Sequence, residues 1–245
     1  MIKFFLIAFL PLCTANLQIG KTNPKPLSDQ QQWALGVSGL LAARNNMRFD
    51  SLEGEEINKF TVQMQKDSLK KWWGIETKAD LLKDLKWLED EGHSENFAEL
   101  KETLDYFEDN PGPTTELSNF LQKIKNDWEY ICKIMIVTKY QEYLGDKSLY
   151  GWDAARYVCL CRWGYTCGYL TEEEAWEKIM PAARFVQRTF DSWEDFGANY
   201  IIGREFWSPK DDDRYMYEDA YMRLLEMPDS PWKKLPWNLY LGEEK

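Results

Sequence analysis

A chain of 245 residues suits one large domain or two small ones and is long enough to bury a sizeable core. Its formal net charge of −11 argues against sequence-independent binding of nucleic acid, which needs Lys and Arg against the phosphates. The same charge suits a basic protein partner, or simply keeps the protein soluble. With 12 Trp, 13 Tyr and 12 Phe, most aromatic side chains are assigned to the core, and a Trp-rich surface for sugars or peptides is the lesser reading.

The chain opens with one lysine before an apolar run from Phe4 to Leu12. That run is too short for a bilayer, which takes ~20 residues. Residues 1–15 therefore read as a signal peptide, with Cys13-Thr14-Ala15 as a small-residue cleavage site and export to the periplasm or envelope as the consequence. A lipid anchor on Cys13 is a weaker alternative, because Leu12 is bulky. A buried N-terminal strand or tail of a cytoplasmic protein is another. Residues 16–28 carry two prolines and no hydrophobic period, so they read as a linker ahead of a single helical domain over 29–245.

Ser28 or Asp29 caps a first helix bearing Trp33, Val37, Leu40 and Leu41, which fades at Asn45-Asn46. A second helix spans Glu55 to Trp73, with Ile57, Phe60 and Met64 on one stripe, and stops at Gly74. Thr77 with Asp80 starts a third, whose inner face is Leu81, Leu82, Leu85 and Leu88 and which Gly92 ends. Ser94 starts the next, with Phe97, Leu100, Leu104 and Phe107. The segment "DNPGPTT", residues 109–115, is the clearest break. A long helix is expected from Glu116 to Leu144, although its middle, "ICKIMIV", is also strand-like.

Residues 150–163 are apolar in every helical direction. Thr171 and Glu174 then form a capping box. The Glu172-Glu173-Glu174 triplet looks catalytic, but complementing a helix dipole explains it more simply. Pro181 is expected to kink that helix or start another. Trp193, Phe196, Tyr200 and Trp207 share a face of the following one. An amphipathic helix with the acidic start Asp211-Asp212-Asp213 precedes a Trp-anchored tail. No run of strands and no internal repeat is found. The fold class is all-α: a compact domain of about eight or nine helices.

Setting Cys13 aside leaves Cys132, Cys159, Cys161 and Cys167. Their C-x-C-x5-C pattern lacks the paired ligand spacing of zinc, so they read as buried free thiols, with the disulfide state left open. No phosphate loop, nucleophile elbow or paired histidine motif appears, and neither metal nor cofactor is expected.

Three charges interrupt the apolar segment: Asp153, Arg156 and Arg162. An unpaired charge in dry surroundings costs several kcal/mol. Arg156, three residues on and on the same face, is the natural partner of Asp153. Arg162 faces elsewhere and needs a different acid or a set of helix C-terminal carbonyls. Arg204 borders the Tyr200–Trp207 stripe between Gly197 and Gly203, two glycines that imply close approach of another helix. One reading is a structural ion-pair network. The other is a pocket with Arg156 and Arg204 as anion clamps and Asp153 orienting them. Arg156, Arg162, Tyr200, Arg204 and Trp207 are the ligand-binding candidates. His93 and Asp153 are the catalytic ones. His93, the sole histidine, follows the helix-ending Gly92, so capping carbonyls there is its simpler role and general base its sharper one. The favoured function is a non-enzymatic binding protein with an acidic surface that docks a basic partner. The alternative is a hydrolase or transferase built on Asp153, Arg156, Arg204 and His93.

Five ordered blocks resemble the bacterial family called domain of unknown function 1266. They are "WALGVSGLLAARNNMRFDSL", "WWGIETKADLLKDLKWLEDEGH", "GWDAARYVCLCRWGYTCGYLTEEEAW", "SWEDFGANYIIGREFW" and the closing "LPW". The resemblance covers most of the chain after about Ser28. It implies a helix-rich bacterial domain and no established activity. Its recurrent elements fall on Trp73-Gly74, Gly92-His93, Trp152-Asp153, Arg156, Arg162, Gly164, the Thr171–Glu174 cap, Ser192-Trp193, Gly203-Arg204 and Trp207. The apolar N-terminal segment departs from the family's plain cytoplasmic form.

Overall fold

Side-chain caps start most of the helices, so local sequence decides where the chain turns. In the computed structural model, which describes residues 26–210 and 214–243, Ser28, Asn58, Thr77 and Thr171 each complete a reciprocal capping box. Thr114, Asp127 and Ser192 cap by accepting a backbone N–H three residues on. The helices are α1 (Asp29–Gly36), α2 (Gly39–Arg44), α3 (Lys59–Trp73), α4 (Lys78–Asp90), α5 (Gly92–Asp109), α6 (Thr115–Ile124), α7 (Trp128–Leu144), α8 (Tyr150–Thr166), α9 (Glu172–Thr189), α10 (Trp193–Trp207), α11 (Arg214–Glu226) and α12 (Pro231–Lys234). No strand occurs among the described residues, as the all-α expectation requires.

Two expected helices are each broken in two, and the tail adds a single turn. The first breaks at Ser38, whose hydroxyl donates to the Leu35 carbonyl at 2.8 Å. The long helix expected over 116–144 breaks because Asp127 caps a fresh start, accepting from the Tyr130 N–H at 3.0 Å. Its strand-like middle lies inside α7. Pro181 sits within α9, which runs on through it. The stripe of Ile57, Phe60 and Met64 is not an inner face: these residues are 49 %, 71 % and 56 % exposed, and Leu69 is the buried residue of α3.

Helix α8 is the hub. It packs against α4, α9 and α10, and also touches α2, α3 and α5. The main core gathers around it, with Leu81, Leu85, Val158, Leu160, Ile179, Phe196 and Tyr200 buried together. A second core joins α5, α7 and α10 through Phe97, Leu100, Ile136, Val137 and Phe206. The tail is held by tryptophans. Trp193 packs on Trp33, Trp232 and Trp237 at ring-centroid distances of 4.5, 5.3 and 4.9 Å. The indole N–H of each donates to a backbone carbonyl, so these large rings are buried without an orphaned donor. At Gly203 a Cβ would collide with the Cβ of Trp152, so only glycine lets α10 approach α8 this closely.

The signal-peptide and Cys13 lipid-anchor readings fall outside the described residues, as do Asp211, Asp212 and Asp213. Among the described residues no helix is long and apolar enough to cross a membrane.

Candidate functional site

The first turn of α8 carries Asp153 into the interior, 3 % exposed, against the junction of α4 and α5. The start of α5 has no side-chain cap of its own, since Glu91 makes no capping bond. Asp153 supplies it from another helix. Its carboxylate accepts the His93 N–H at 3.0 and 2.9 Å, the Ser94 N–H at 2.9 Å and the Ser94 hydroxyl at 2.8 Å. A carboxylate there meets the positive end of the helix dipole and satisfies donors that would otherwise be orphaned. Gly92 makes the fit possible. It adopts φ +60°, and a Cβ would strike the Asp153 carboxylate.

Arg156 follows one turn later, nearly buried, with its guanidinium over the Trp73 ring at 4.5 Å and the Trp152 ring at 4.9 Å. Its Nη1 lies 2.8 Å from His93 Nδ1 and 3.9 Å from Asp153 Oδ1. The expected Asp153–Arg156 pair is therefore present but secondary, because backbone N–H groups take most of the carboxylate. His93 does not cap carbonyls as expected. Arginine offers only donors, so Nδ1 must accept and the ring proton belongs on Nε2. Burial is the main reason its pKa falls below the ordinary histidine value. The charge of Arg156 acts the same way, against the opposing pull of Asp153 at 3.5 Å.

This neutral histidine carries a pH dependence. The unfolded chain takes up a proton near pH 6.5 and the folded one resists, so the contribution is full above that value and is lost as pH falls toward the depressed folded pKa. Urea midpoints measured from pH 7 down to 5 should decline in the wild type. In His93→Gln, whose amide oxygen can still accept from Arg156, that part of the slope should disappear. An unchanged slope would show that His93 is not the titrating group.

Arg162 stands apart from this cluster and is fully buried. Its Nε donates to the Leu52 carbonyl at 3.0 Å and its Nη1 to the Ser38 hydroxyl at 3.0 Å. Nη2 donates to the carbonyls of Arg48 and Ser51 at 2.5 and 3.3 Å. Loop carbonyls thus take the place of the acid or helix end that the sequence called for. Burial pushes the guanidiniums of Arg156 and Arg162 down to about 10, still high enough to stay charged at neutral pH. Arg204 joins a neighbouring aromatic group, over Trp207 at 4.9 Å and Tyr217 at 5.2 Å. Tyr200 is fully buried against Trp152, and that burial holds its hydroxyl well above the ordinary phenol range. Trp207 lies 5.9 Å from Trp152 and is 41 % exposed. Sequence reasoning missed Trp73 as a stacking partner and the backbone of His93 and Ser94 as ligands of Asp153. Neither had a sequence signal: Gly92 reads as a helix end and Ser94 as the start of the next helix, whereas α5 begins at Gly92 and Ser94 lies inside it.

A cleft of about 460 Å³ opens between the α4–α5 junction, α8 and α9. Its floor includes Ser94, Asp153, Ala154 and Tyr157. Glu89, Asp90, Glu91 and Glu95 line one wall; Lys178, Phe185 and Arg188 line the other. Neither His93, Arg156 nor Arg204 lines it. Asp90 pairs with Lys86 at 2.5 Å, whereas Glu89, Glu91 and Glu95 make no ion pair among the described residues. Cys159, Cys161 and Cys167 are buried free thiols whose pKa values burial raises, to about 12 for Cys159 and about 11 for Cys167. They are poor nucleophiles in this state. No group of three or more His, Cys, Asp or Glu side chains among the described residues is placed to hold a metal ion.

The comparisons with known proteins agree with the sequence blocks. The model of a family described as "Protein of unknown function (DUF1266)" matches residues 68–237. "Uncharacterized protein YbeR" of Escherichia coli (strain K12) is 26 % identical over 159 residues, a stretch covering 64 % of each chain. The chain is thus matched over less than two thirds of that relative's length. No solved structure matches. The block Trp33–Leu52 precedes the matched range, while Trp73, His93, Asp153, Arg156, Arg162, Tyr200, Arg204 and Trp207 all lie within it. Because the match takes in more than half of the chain and the whole Asp153 cluster, the protein belongs to the DUF1266 family.

Proposed function

We propose that this is a non-enzymatic binding protein that takes a basic segment of a partner protein into the cleft above Asp153. The observation that carries the reading is the wall of Glu89, Glu91 and Glu95, three carboxylates without ion pairs among the described residues, beside a recess large enough for side chains. The net charge of −11 adds attraction at longer range. Lys178 and Arg188 on the facing wall narrow the choice to a segment whose positive side lies against α4 and α5. The alternative, a hydrolase or transferase, draws on His93 lying beside Asp153 and Arg156. It has less support, because those side chains spend their hydrogen bonds on one another and the cleft reaches Asp153 alone.

The test is titration with a fluorescent Lys/Arg-rich peptide carrying one aromatic residue. Binding is expected to weaken strongly in the triple variant Glu89→Gln, Glu91→Gln, Glu95→Gln. A control triple, Glu102→Gln, Glu108→Gln, Glu116→Gln, removes the same charge elsewhere and should respond only weakly. Salt near 0.1 M, where the screening length is about 10 Å, should also weaken the complex. Equal losses in the two triples would reduce the attraction to net charge and remove the cleft from the proposal.

A further inference from the structure

We propose that a second groove, formed by α2, α3 and α8, binds a small organic anion with an aromatic or apolar body, held by Arg44. The groove has a volume of about 500 Å³, within the range of small-molecule sites. Trp72, Trp73, Trp163 and Tyr217 line it, together with Met47 and Met64. Trp72 is 69 % exposed and Met64 56 %. Trp72 stands in water at the rim, whereas Tyr217 is buried and Trp73 already carries the Arg156 guanidinium, and an exposed flat ring beside a recess is well served by a stacked planar ligand.

Arg44 is the second, independent observation. It is the last residue of α2 and lines the same groove. Its Nε is buried with no hydrogen-bond acceptor, and the side chain makes no ion pair among the described residues. Buried donors are almost always satisfied, and a guanidinium fork matches a carboxylate or phosphate in two parallel bonds. Glu55 is the one acid among the groove's lining residues. The groove shares no lining residue with the cleft above Asp153, so this inference stands or falls apart from the proposed function.

Calorimetric titration of the full chain with indole-3-acetate and phenyl phosphate tests it, with indole-3-acetamide as the uncharged counterpart. Saturable one-site binding of at least one anion is expected. The acetamide and the Arg44→Gln variant should each cost about tenfold or more in affinity, the scale of a lost charge-assisted pair. Trp72→Ala, an exposed change that leaves the core alone, should weaken every aromatic probe. If neither anion binds, or if acid and amide bind alike to wild type and Arg44→Gln, the proposal is overturned.

Discussion

Replacing Asp153 with alanine is expected to destabilise the protein by about 3–5 kcal/mol, the usual cost of removing one partner from a buried charged cluster. The loss comes from four donor contacts at the head of α5: two from the His93 N–H, one from the Ser94 N–H and one from the Ser94 hydroxyl. It also takes from the buried Arg156 guanidinium its nearest carboxylate, leaving a neutral imidazole and two indole rings in direct contact and Asp84 farther off. Asp153→Asn is the sharper variant, since it keeps the volume. Its amide can accept through one oxygen only, and its NH2 group would face backbone donors, so it should recover less than half of the lost stability. Urea unfolding checks both: the midpoint should fall while the slope stays near the wild-type value. Thermal midpoints should drop with it, by roughly 2–4 °C per kcal/mol for a chain of this size. Amide exchange at His93 and Ser94 should speed up well beyond the global change. A loss below about 1 kcal/mol would mean that water can replace the carboxylate, and the cap would not be the reason for a buried Asp153.

How far this was legible in the sequence depends on what each signal encodes. Capping boxes are local, so Thr77–Asp80 and Thr171–Glu174 could be read directly, and the helices after them follow. The inference that Gly203 marks a close helix approach also holds, because a glycine inside a helix costs stability unless something needs the space. What stayed hidden were the partners. Paired charges three residues apart suggest each other, and the sequence offered Arg156 for Asp153. In the fold, two of the three buried charges of α8 are spent chiefly on non-helical or helix-terminal groups of a distant segment. Asp153 serves the donors of the α5 start, and Arg162 serves the acceptors of residues 48–52. Backbone groups carry no sequence signature, so one-dimensional reading cannot see them as ligands. The exposed stripe of α3 is a related case. Spacing shows that Phe60 and Met64 share a face, but not whether the protein covers that face.

Arg162→Met separates the two roles that a buried arginine can play. Methionine matches the aliphatic stem and flexibility of arginine but stops short of the guanidinium, so a modest cavity term adds to the loss. What disappears is a set of charge-assisted bonds to Leu52, Arg48, Ser51 and Ser38. Those bonds hold a loop with little internal structure: Arg48 N–H donates to the Gly54 carbonyl at 2.7 Å, and Gly54, at φ +71°, places its Cα so that a side chain would meet the guanidinium at 2.6 Å. Global stability is expected to fall by about 2–4 kcal/mol, less than the sum of the lost bonds, because loop carbonyls can swing out to water. Residues 45–58 should lose amide protection first and become the earliest site of protease cleavage. Arg162→Lys decides between charge and geometry. A lysine restores the cation but cannot span acceptors that lie around a planar fork, and its shorter reach leaves the outer carbonyls unserved. It should therefore behave more like methionine than like wild type. If lysine restored both the midpoint and the protection of residues 45–58, a buried positive charge alone would suffice, and the fit of the guanidinium to the loop would be incidental.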